Sequence, residues 1–553
     1  MSTDASESLL SWVSDPDPGR GIRFALPGTE WDLWTYDRLA GLVRQAAAGL
    51  RARGVRRGDV VSLVQRSGPH FVGSVFGAMM VGAIPSPIAP PLTFQDPDVY
   101  RDHVTGLTQT ARPALVVTDA DLAGSIASMV EVAPVVTTAD ILSPDALDVP
   151  EPGETALLQF TSGSSGRARG VAVPAAALAV NVAAIRAWLR MTPEDATASW
   201  LPIHHDMGLI GCLITPVVNR SDLWLLPPEE FIHNPVRYLR CFDAPSPGQP
   251  GAVLTSMPNF GLGYVTRRVK PQALAGMDFS AWRTVIVGAE RVDDQVLDRF
   301  CALLGPHGLD RRAILPAYGM AEATLAVTGL PLEEEWRTVR FGPDAQPVTG
   351  CGRPLGGVSV SVRDEQDQEL PDGQVGEIVV TGPSVARGYQ HQGESASLTR
   401  IEDGVLHTAD AGFLVDGQLF VLGRLGDSLK LRGRAVFAED LELAMGQAGV
   451  PPLRMAALLG YRAGAPTVVA VFEQARPEWL ETATHLLRRS TEGAEVVLLD
   501  APRGAIARTS SGKPKRRRLW QAFVDDDMAG AVEVPIPSAA RTQTLEMAPG
   551  GNR

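Results

Sequence analysis

The sequence predicts an α/β protein with a large N-terminal domain of several subdomains and a small α+β C-terminal domain. The large domain combines layered α/β sheets with a β-rich subdomain. Three observations predict this. Helical and strand periods alternate through residues 39–304, the pattern of helices packed on a largely parallel sheet. Near Gly352 the texture changes to short β-like runs separated by turns. Residues 423–433 are polar, glycine-rich and charged, and read as a joint before the last α+β stretch.

The elements follow in order. Leu39, Leu42, Val43, Ala46, Ala47 and Leu50 recur at helical spacing over 39–53. Residues 54–59 form a turn and 60–64 a short buried strand. The alternation continues with a helix at 71–81, strands at 84–88, 115–118 and 284–287, and a helix at 294–304. Beyond Gly352, β runs are expected at 358–362, 376–381 and 419–422, with turns such as Pro371-Asp372-Gly373. The expected boundaries are 1–423 for the N-terminal domain, with its β-rich part at about 350–423, and 424–525 for the small domain. Residues 526–553, rich in Asp, Gly, Pro and small side chains, are expected to be a disordered tail.

The chain has 553 residues, too many for one core. Its composition, 45% hydrophobic and 20% charged, is that of a soluble globular protein. The net charge of −13 argues against nucleic-acid binding, which needs a basic face. Cys212, Cys241, Cys301 and Cys351 are far apart and form no CxxC, so reduced structural thiols are expected and no zinc site. The first residues lack the basic start of a signal peptide, and the apolar stretch 71–89 is broken by Gly73, Gly77, Gly82, Pro85 and Pro87. The expectation is a cytoplasmic protein without a membrane span.

The most informative segment is residues 159–170. Thr161, Ser162, Ser164 and Ser165 alternate with Gly163, Gly166 and Gly170, beside Arg167 and Arg169. Glycines let backbone N–H groups converge on an anion, hydroxyls add donors, and the arginines stay charged. A triphosphate is the natural occupant. Apolar runs on both sides, Ala156-Leu157-Leu158 and Val171-Ala172-Val173, give strand, turn, strand. No Gly-Lys-Ser/Thr closes the segment, so it is not a P-loop. Alone, it reads equally as a flexible Gly/Ser hairpin.

Further along lie Gly288-Ala289-Glu290 at a strand end, Tyr318-Gly319-Met320-Ala321-Glu322, His407-Thr408-Ala409-Asp410, Gly423-Arg424 and Thr509-Ser510-Ser511-Gly512-Lys513. Ligands of open α/β sheets sit at the carboxyl ends of strands. A tyrosine can stack on adenine, and a glutamate can hold a Mg²⁺ that bridges phosphates. An aspartate is a natural acceptor for two ribose hydroxyls, and an arginine can share the ribose or a phosphate. Each segment alone also reads as an ordinary turn, a core residue or a solvated basic loop.

Taken together, and with Trp200-Leu201-Pro202-Ile203-His204-His205-Asp206-Met207-Gly208 and Met257-Pro258-Asn259-Phe260, these segments resemble the adenylate-forming superfamily, most closely its fatty acyl-AMP ligases and acyl-CoA synthetases. The resemblance covers nearly the whole chain. It implies ATP-binding roles for Thr161, Ser162, Gly163, Ser164, Ser165, Gly166, Arg169, Gly288, Ala289, Glu290, Ala317, Tyr318, Gly319, Met320, Asp410 and Arg424. It assigns the catalytic lysine to Lys513, the Mg²⁺ to Glu322, and a carboxylate-side role to His205. It places Met207, Asn259, Phe260 and Gly263 with His205 along the acyl pocket, and a hinge at Gly426 and Asp427 about which the small domain moves.

The chain departs from the family pattern at His407 and Ala409, where Arg and Gly are usual, at Ala321 (Thr), and at Ala168-Arg169 (Pro-Lys). The implied reaction is attack of a carboxylate on the α-phosphate of Mg·ATP, releasing pyrophosphate. The acyl group then passes to the phosphopantetheine thiol of an acyl carrier protein, in lipid or specialised metabolism. Basic residues at Arg516, Arg517 and Arg518 would meet an acidic carrier. Residues 329–350 are short for the extra segment of acyl-AMP ligases, which keeps free CoA open as the acceptor. A small, aromatic or amino-substituted acid, an unusual oxyacid, and a non-catalytic homologue are the other readings.

Overall fold

A computed structural model describes residues 9–91, 97–147, 150, 153–161, 169–243, 251–340, 347–390, 398–431, 434–462, 464–491, 493–509, 512–528 and 530–535. They fall into two compact units, Met1–Gly426 with Thr509–Lys513, and Asp427–Arg508 with Pro514–Arg553.

The large unit is built on a nine-stranded sheet, in the order Arg353–Pro354, Ala326–Gly329, Ile314–Gly319, Thr284–Gly288, Ala252–Pro258, Ala196–Ser199, Leu223–Leu225, Gly21–Ala25, Trp31–Thr35. Pairing is parallel from Ile314–Gly319 to Gly21–Ala25 and antiparallel at both ends. Such a sheet buries both faces, and its inner strands are accordingly buried almost throughout, with small hydroxyls such as Thr197, Ser199 and Thr255 among the apolar side chains. Val285, Val287, Ile314 and Leu315 pack with Leu297 and Phe300 of the helix Asp294–Leu304. Asp293 caps that helix by accepting the Gln295 N–H at 3.0 Å.

A parallel four-stranded sheet (Ile84–Pro87, Val60–Val64, Leu115–Thr118, Val135–Thr137) supports the helices Tyr36–Ala52 and Pro69–Met80. Three antiparallel strands, Gly388–Gln390, Arg169–Pro174 and Thr155–Thr161, form a third sheet.

The β-rich subdomain is a five-stranded antiparallel sheet in which Val405–Val415 pairs with Gly376–Thr381, Arg400–Glu402 and Gln418–Arg424. Its bounds differ slightly from those expected. Arg353–Pro354 joins the nine-stranded sheet, and the last strand runs through Gly423 and Arg424, which pair with Ala411 and Asp410. The joint therefore starts only at Leu425.

The small unit orders its sheet Met455–Arg462, Ala465–Glu473, Glu495–Ala501, Val532–Val534 and packs the helices Ala438–Gln447, Pro477–Ser490 and Arg516–Val524. Two expectations change here. Val532–Val534 pairs antiparallel with Leu498, Leu499 and Asp500, so the expected tail does not begin at 526, and the rest of it, 536–553, lies outside the described residues. Composition suggested a disordered tail because a ladder uses backbone groups that composition does not register. Arg516 does not face outward. Its guanidinium is shared among Asp427 at 3.0 Å and Glu439 and Glu442 at 2.8 Å each. Those carboxylates hold it well above the ordinary arginine range against the cost of burial. Among the described residues no helix is long and apolar enough to cross a membrane.

Candidate active site

Thr161 ends one strand of the hairpin and Arg169 begins the next, and the two are cross-strand partners. Ser162, Gly163, Ser164, Ser165 and Gly166 lie outside the described residues. The Arg169 guanidinium lies 3.7 Å from Glu322 Oε1, sits 3.8 Å from the centre of the Tyr389 ring, and donates to the Thr399 carbonyl at 3.1 Å. Glu322 stands on the short turn Ala321–Ala323 after the strand Ile314–Gly319, and is 4% exposed. Its Oε1 accepts the Tyr389 hydroxyl at 2.8 Å. Burial and the Glu322 charge push the Tyr389 phenol up, so it stays a donor. Among the described residues Glu322 Oε2 receives no hydrogen bond, and no three His, Cys, Asp or Glu side chains cluster as for a metal cage. One buried carboxylate with a free oxygen suits Mg²⁺, which binds through few protein ligands plus phosphates and water.

Tyr318, from the same strand, donates its hydroxyl to Asp410 Oδ2 at 2.6 Å. Burial, then the Asp410 charge, raises the phenol well above its usual range. Asp410 Oδ1 accepts Arg424 Nε at 2.8 Å. Arg424 also reaches the Thr399 hydroxyl at 3.2 Å and the Thr408 carbonyl at 3.1 Å. Thr399 thus holds Arg169 through its carbonyl and Arg424 through its hydroxyl, tying the two arginines together. Gly319 is required by close approach, because a Cβ there would lie 1.9 Å from the Leu325 carbonyl oxygen. Met320 is buried beneath the Tyr318 hydroxyl, its sulfur 3.7 Å away.

Ala409 stands at φ 58°, a left-handed conformation costly for alanine. Glu377 holds it there by accepting the Ala409 N–H at 2.9 Å, while its other oxygen lies 3.2 Å from His407 Nδ1. Ala409→Gly is expected to stabilise the protein by about 0.5–1 kcal/mol, read as a higher urea midpoint; the relief of strain is partly offset by the greater freedom of glycine when unfolded.

Gly288 closes the strand Thr284–Gly288 beside Ala317, whose carbonyl oxygen would sit 3.1 Å from any Cβ there, and Ala289 follows at φ 68°. Glu290 accepts the Phe260 N–H at 2.5 Å, at the start of the helix Asn259–Arg268, and its carboxylate is within electrostatic reach of Lys513. Asn259 Oδ1 accepts the Asp293 N–H at 3.1 Å, which ties that helix to the next. Phe260 packs edge-on against Trp200, ring centres 5.8 Å apart. Gly263 is buried with Arg267 Nη1 and Val296 nearest, so its open side is filled by the neighbouring helix and an arginine.

His205 lies 4.7 Å from the His204 ring, and Met207 begins the π-helix Met207–Ile214. The His204 carbonyl accepts Gln159 at 2.8 Å, joining this loop to the Thr155–Thr161 strand. Burial first, then His205 and His103, holds His204 well below the usual histidine range.

Lys513 belongs by its contacts to the large unit. The surrounding protein, then Arg424, pulls its ammonium below the ordinary lysine range, while Glu290, Asp410 and Asp206 oppose the shift; its surface remains open to solvent. Burial in turn raises the Glu290 and Asp206 carboxyls, and Lys513 opposes that. Gly426 ends the large unit and Asp427 begins the small one. A Cβ on Gly426 would meet only Leu398, at 3.5 Å, so glycine is not sterically demanded there.

Tyr389, Thr399 and Glu377 carry no signal in the sequence that marks them for this site, and Gln159, inside the segment 159–170, gains its contact with the His204 loop only from the fold.

The sequence profile described as AMP-binding enzyme matches residues 19–390. A putative acyl-CoA synthetase of Caulobacter vibrioides is 29% identical, with 91% of this chain and 92% of the relative covered. A medium-chain-fatty-acid–[acyl-carrier-protein] ligase of Moorena producens is 28% identical, covering 92% and 93%. A solved structure from studies of fatty acyl-adenylate ligases of E. coli and L. pneumophila superposes with a TM-score of 0.83 at 25% identity, over 94% of this chain and 98% of that one. With the AMP-binding profile matched over 19–390, and with Gly288 and Tyr318 at the ends of the Thr284–Gly288 and Ile314–Gly319 strands, the chain belongs to the AMP-binding enzyme family and is an ATP-dependent, acyl-adenylate-forming ligase.

Proposed function

We propose that the protein activates a fatty or related carboxylic acid with Mg·ATP and delivers the acyl group to the phosphopantetheine thiol of an acyl carrier protein. The observation that carries the reading is Thr399, which couples Arg169 and Glu322 to Arg424 and Asp410. Two anionic and two cationic groups tied through one residue match a ligand with a ribose at one end and a polyphosphate at the other.

In the first step a carboxylate oxygen attacks the α-phosphorus, and the bond to the bridging oxygen of pyrophosphate breaks. Asp410 accepts the ribose hydroxyls, Tyr318 flanks the adenine, and Arg169 neutralises the leaving pyrophosphate. Glu322 would hold Mg²⁺, which supplies further charge neutralisation on the phosphates. Lys513 draws the carboxylate and the α-phosphate together. The residues position and neutralise, with no covalent nucleophile. In the second step the thiol sulfur attacks the acyl carbonyl and AMP leaves.

The carrier-protein acceptor is supported by the Moorena producens relative and by a long-chain-fatty-acid–AMP ligase of Mycobacterium tuberculosis, 28% identical over 85% of this chain. The short segment at 329–350 and the Caulobacter vibrioides relative favour free CoA as the second reading. A panel of fatty, aromatic and amino acids, with AMP resolved from ADP, tests the first step. AMP that appears with one acid class is the expected result, and no AMP with any acid overturns the reading. Adding a holo carrier protein or CoA to the adenylate then tests the acceptor: acyl transfer to the carrier alone is expected, and transfer to CoA alone overturns that part.

A further inference from the structure

Tyr389 makes the contact on which Glu322 depends. It lies on the strand Gly388–Gln390, directly opposite Val171 of the strand that begins at Arg169. The segment ending at Tyr389 grips Glu322 twice. The Ala386 N–H donates to the Glu322 carbonyl at 2.8 Å, and the Tyr389 hydroxyl donates to Oε1 at 2.8 Å. The Tyr389 ring carries the Arg169 guanidinium on its face at 3.8 Å, which leaves Arg169 3.7 Å from the same Oε1.

We infer that Tyr389 is a positioning residue for the divalent cation: by occupying Oε1 and holding Arg169 on its ring, it keeps Glu322 Oε2 directed toward the metal and keeps the arginine from closing onto the carboxylate. The inference rests on the assignment of the cation to Glu322 made above. A buried carboxylate without fixed partners turns toward the nearest cation. Here that cation is Arg169, and an Arg169–Glu322 bidentate pair would compete with Mg²⁺ for both oxygens. Mg²⁺ tolerates little departure from octahedral geometry, so a ligand free to rotate binds it poorly. Outer hydrogen bonds of this kind typically set metal affinity by about 10–100-fold.

The test is Tyr389→Phe, which retains the ring and its stack with Arg169 and removes only the hydroxyl. Mn²⁺ is titrated into protein saturated with a non-hydrolysable ATP analogue, and free Mn²⁺ is read by electron paramagnetic resonance. The expected result is a metal Kd weakened by about 10–100-fold, with analogue binding in excess EDTA changed less than about twofold and thermal unfolding near that of the parent. In a Glu322→Gln background, Tyr389→Phe should add nothing, because the two act on one ligand. Metal titrations that superimpose for parent and Tyr389→Phe, or tighter binding by the variant, overturn the inference. If the parent itself shows no metal dependence of analogue binding, the assignment of Glu322 falls, and this inference with it.

Discussion

Lys513→Ala is expected to lower acid-dependent pyrophosphate release by about 10²–10³-fold, the range for removing one preorganised donor from a charge-developing transition state. The reason is where the ammonium sits. Glu290, Asp410 and Asp206 pull its proton affinity up, while Arg424 and the surrounding protein push it down, and the push is larger. A cation held that way is only loosely neutralised by the protein. Its attraction is available to a carboxylate and an α-phosphate that must approach each other despite like charge. The loss should fall on kcat for adenylate formation. Thiol attack on preformed acyl-adenylate, which needs no such bridge, should be retained. Equal loss in both half-reactions would assign Lys513 to folding or to the thiol step.

The direction of the Lys513 shift gives a pH dependence. In the proposed role the group acts protonated, and its pKa lies below the ordinary lysine value. Adenylation should therefore be fully present at pH values well below that pKa and be lost as pH rises through it, earlier than an unperturbed lysine would allow. Lys513→Arg keeps the charge to higher pH. It should move the alkaline limb upward even if its rate is lower, and an unmoved limb would assign the titration to another group.

Much of this site was legible in the sequence, because its chemistry is carried by residue types at characteristic spacings. The strand at 115–118 and the helix at 294–304 appear where the periods place them, since the strand is buried along its whole length and the helix buries Val296, Leu297, Phe300 and Leu304 on one face. Asp410 and Arg424 were read together as a pair, and the fold joins them in an ion pair. Asp416-Gly417, both at positive φ, is a two-residue hairpin turn between β runs; counting outward from it would set residue 410 opposite 423, and the register shift between Ala411 and Gly412 brings Arg424 there instead. Thr399 and Tyr389 were not legible. Thr399 acts partly through its carbonyl, which every residue has, and Tyr389 reaches Glu322 only because Gly388–Gln390 joins the Arg169–Pro174 strand from more than 200 residues away. Arg516 misled for the opposite reason. Three consecutive arginines look like a surface patch, and only the fold shows that the first is surrounded by three carboxylates.

Asp410→Ala is expected to reduce kcat/KM for ATP by about 10²–10⁴-fold, mostly through KM, because the two hydrogen bonds from ribose hydroxyls to a carboxylate are each worth about 1.5–3 kcal/mol. Both oxygens already accept one protein donor, Tyr318 at Oδ2 and Arg424 at Oδ1. Each keeps lone-pair capacity for one more. That arrangement sets the carboxylate plane and leaves it able to accept two neighbouring hydroxyls. Removing it has a second cost, since the Tyr318 hydroxyl and Arg424 lose their shared acceptor. The two costs separate by substrate. Sites that hydrogen-bond a hydroxyl reject the analogue that lacks it, so the parent should discriminate strongly against 2′-deoxy-ATP and 3′-deoxy-ATP. In Asp410→Ala that discrimination should shrink to a few-fold, because ATP and its deoxy analogues then meet the same missing acceptor. Asp410→Asn, which can still accept from Arg424, should keep the fold and recover part of the discrimination. A parent that uses deoxy-ATP as well as ATP would place the ribose elsewhere, and Asp410 would then serve only to hold Tyr318 and Arg424.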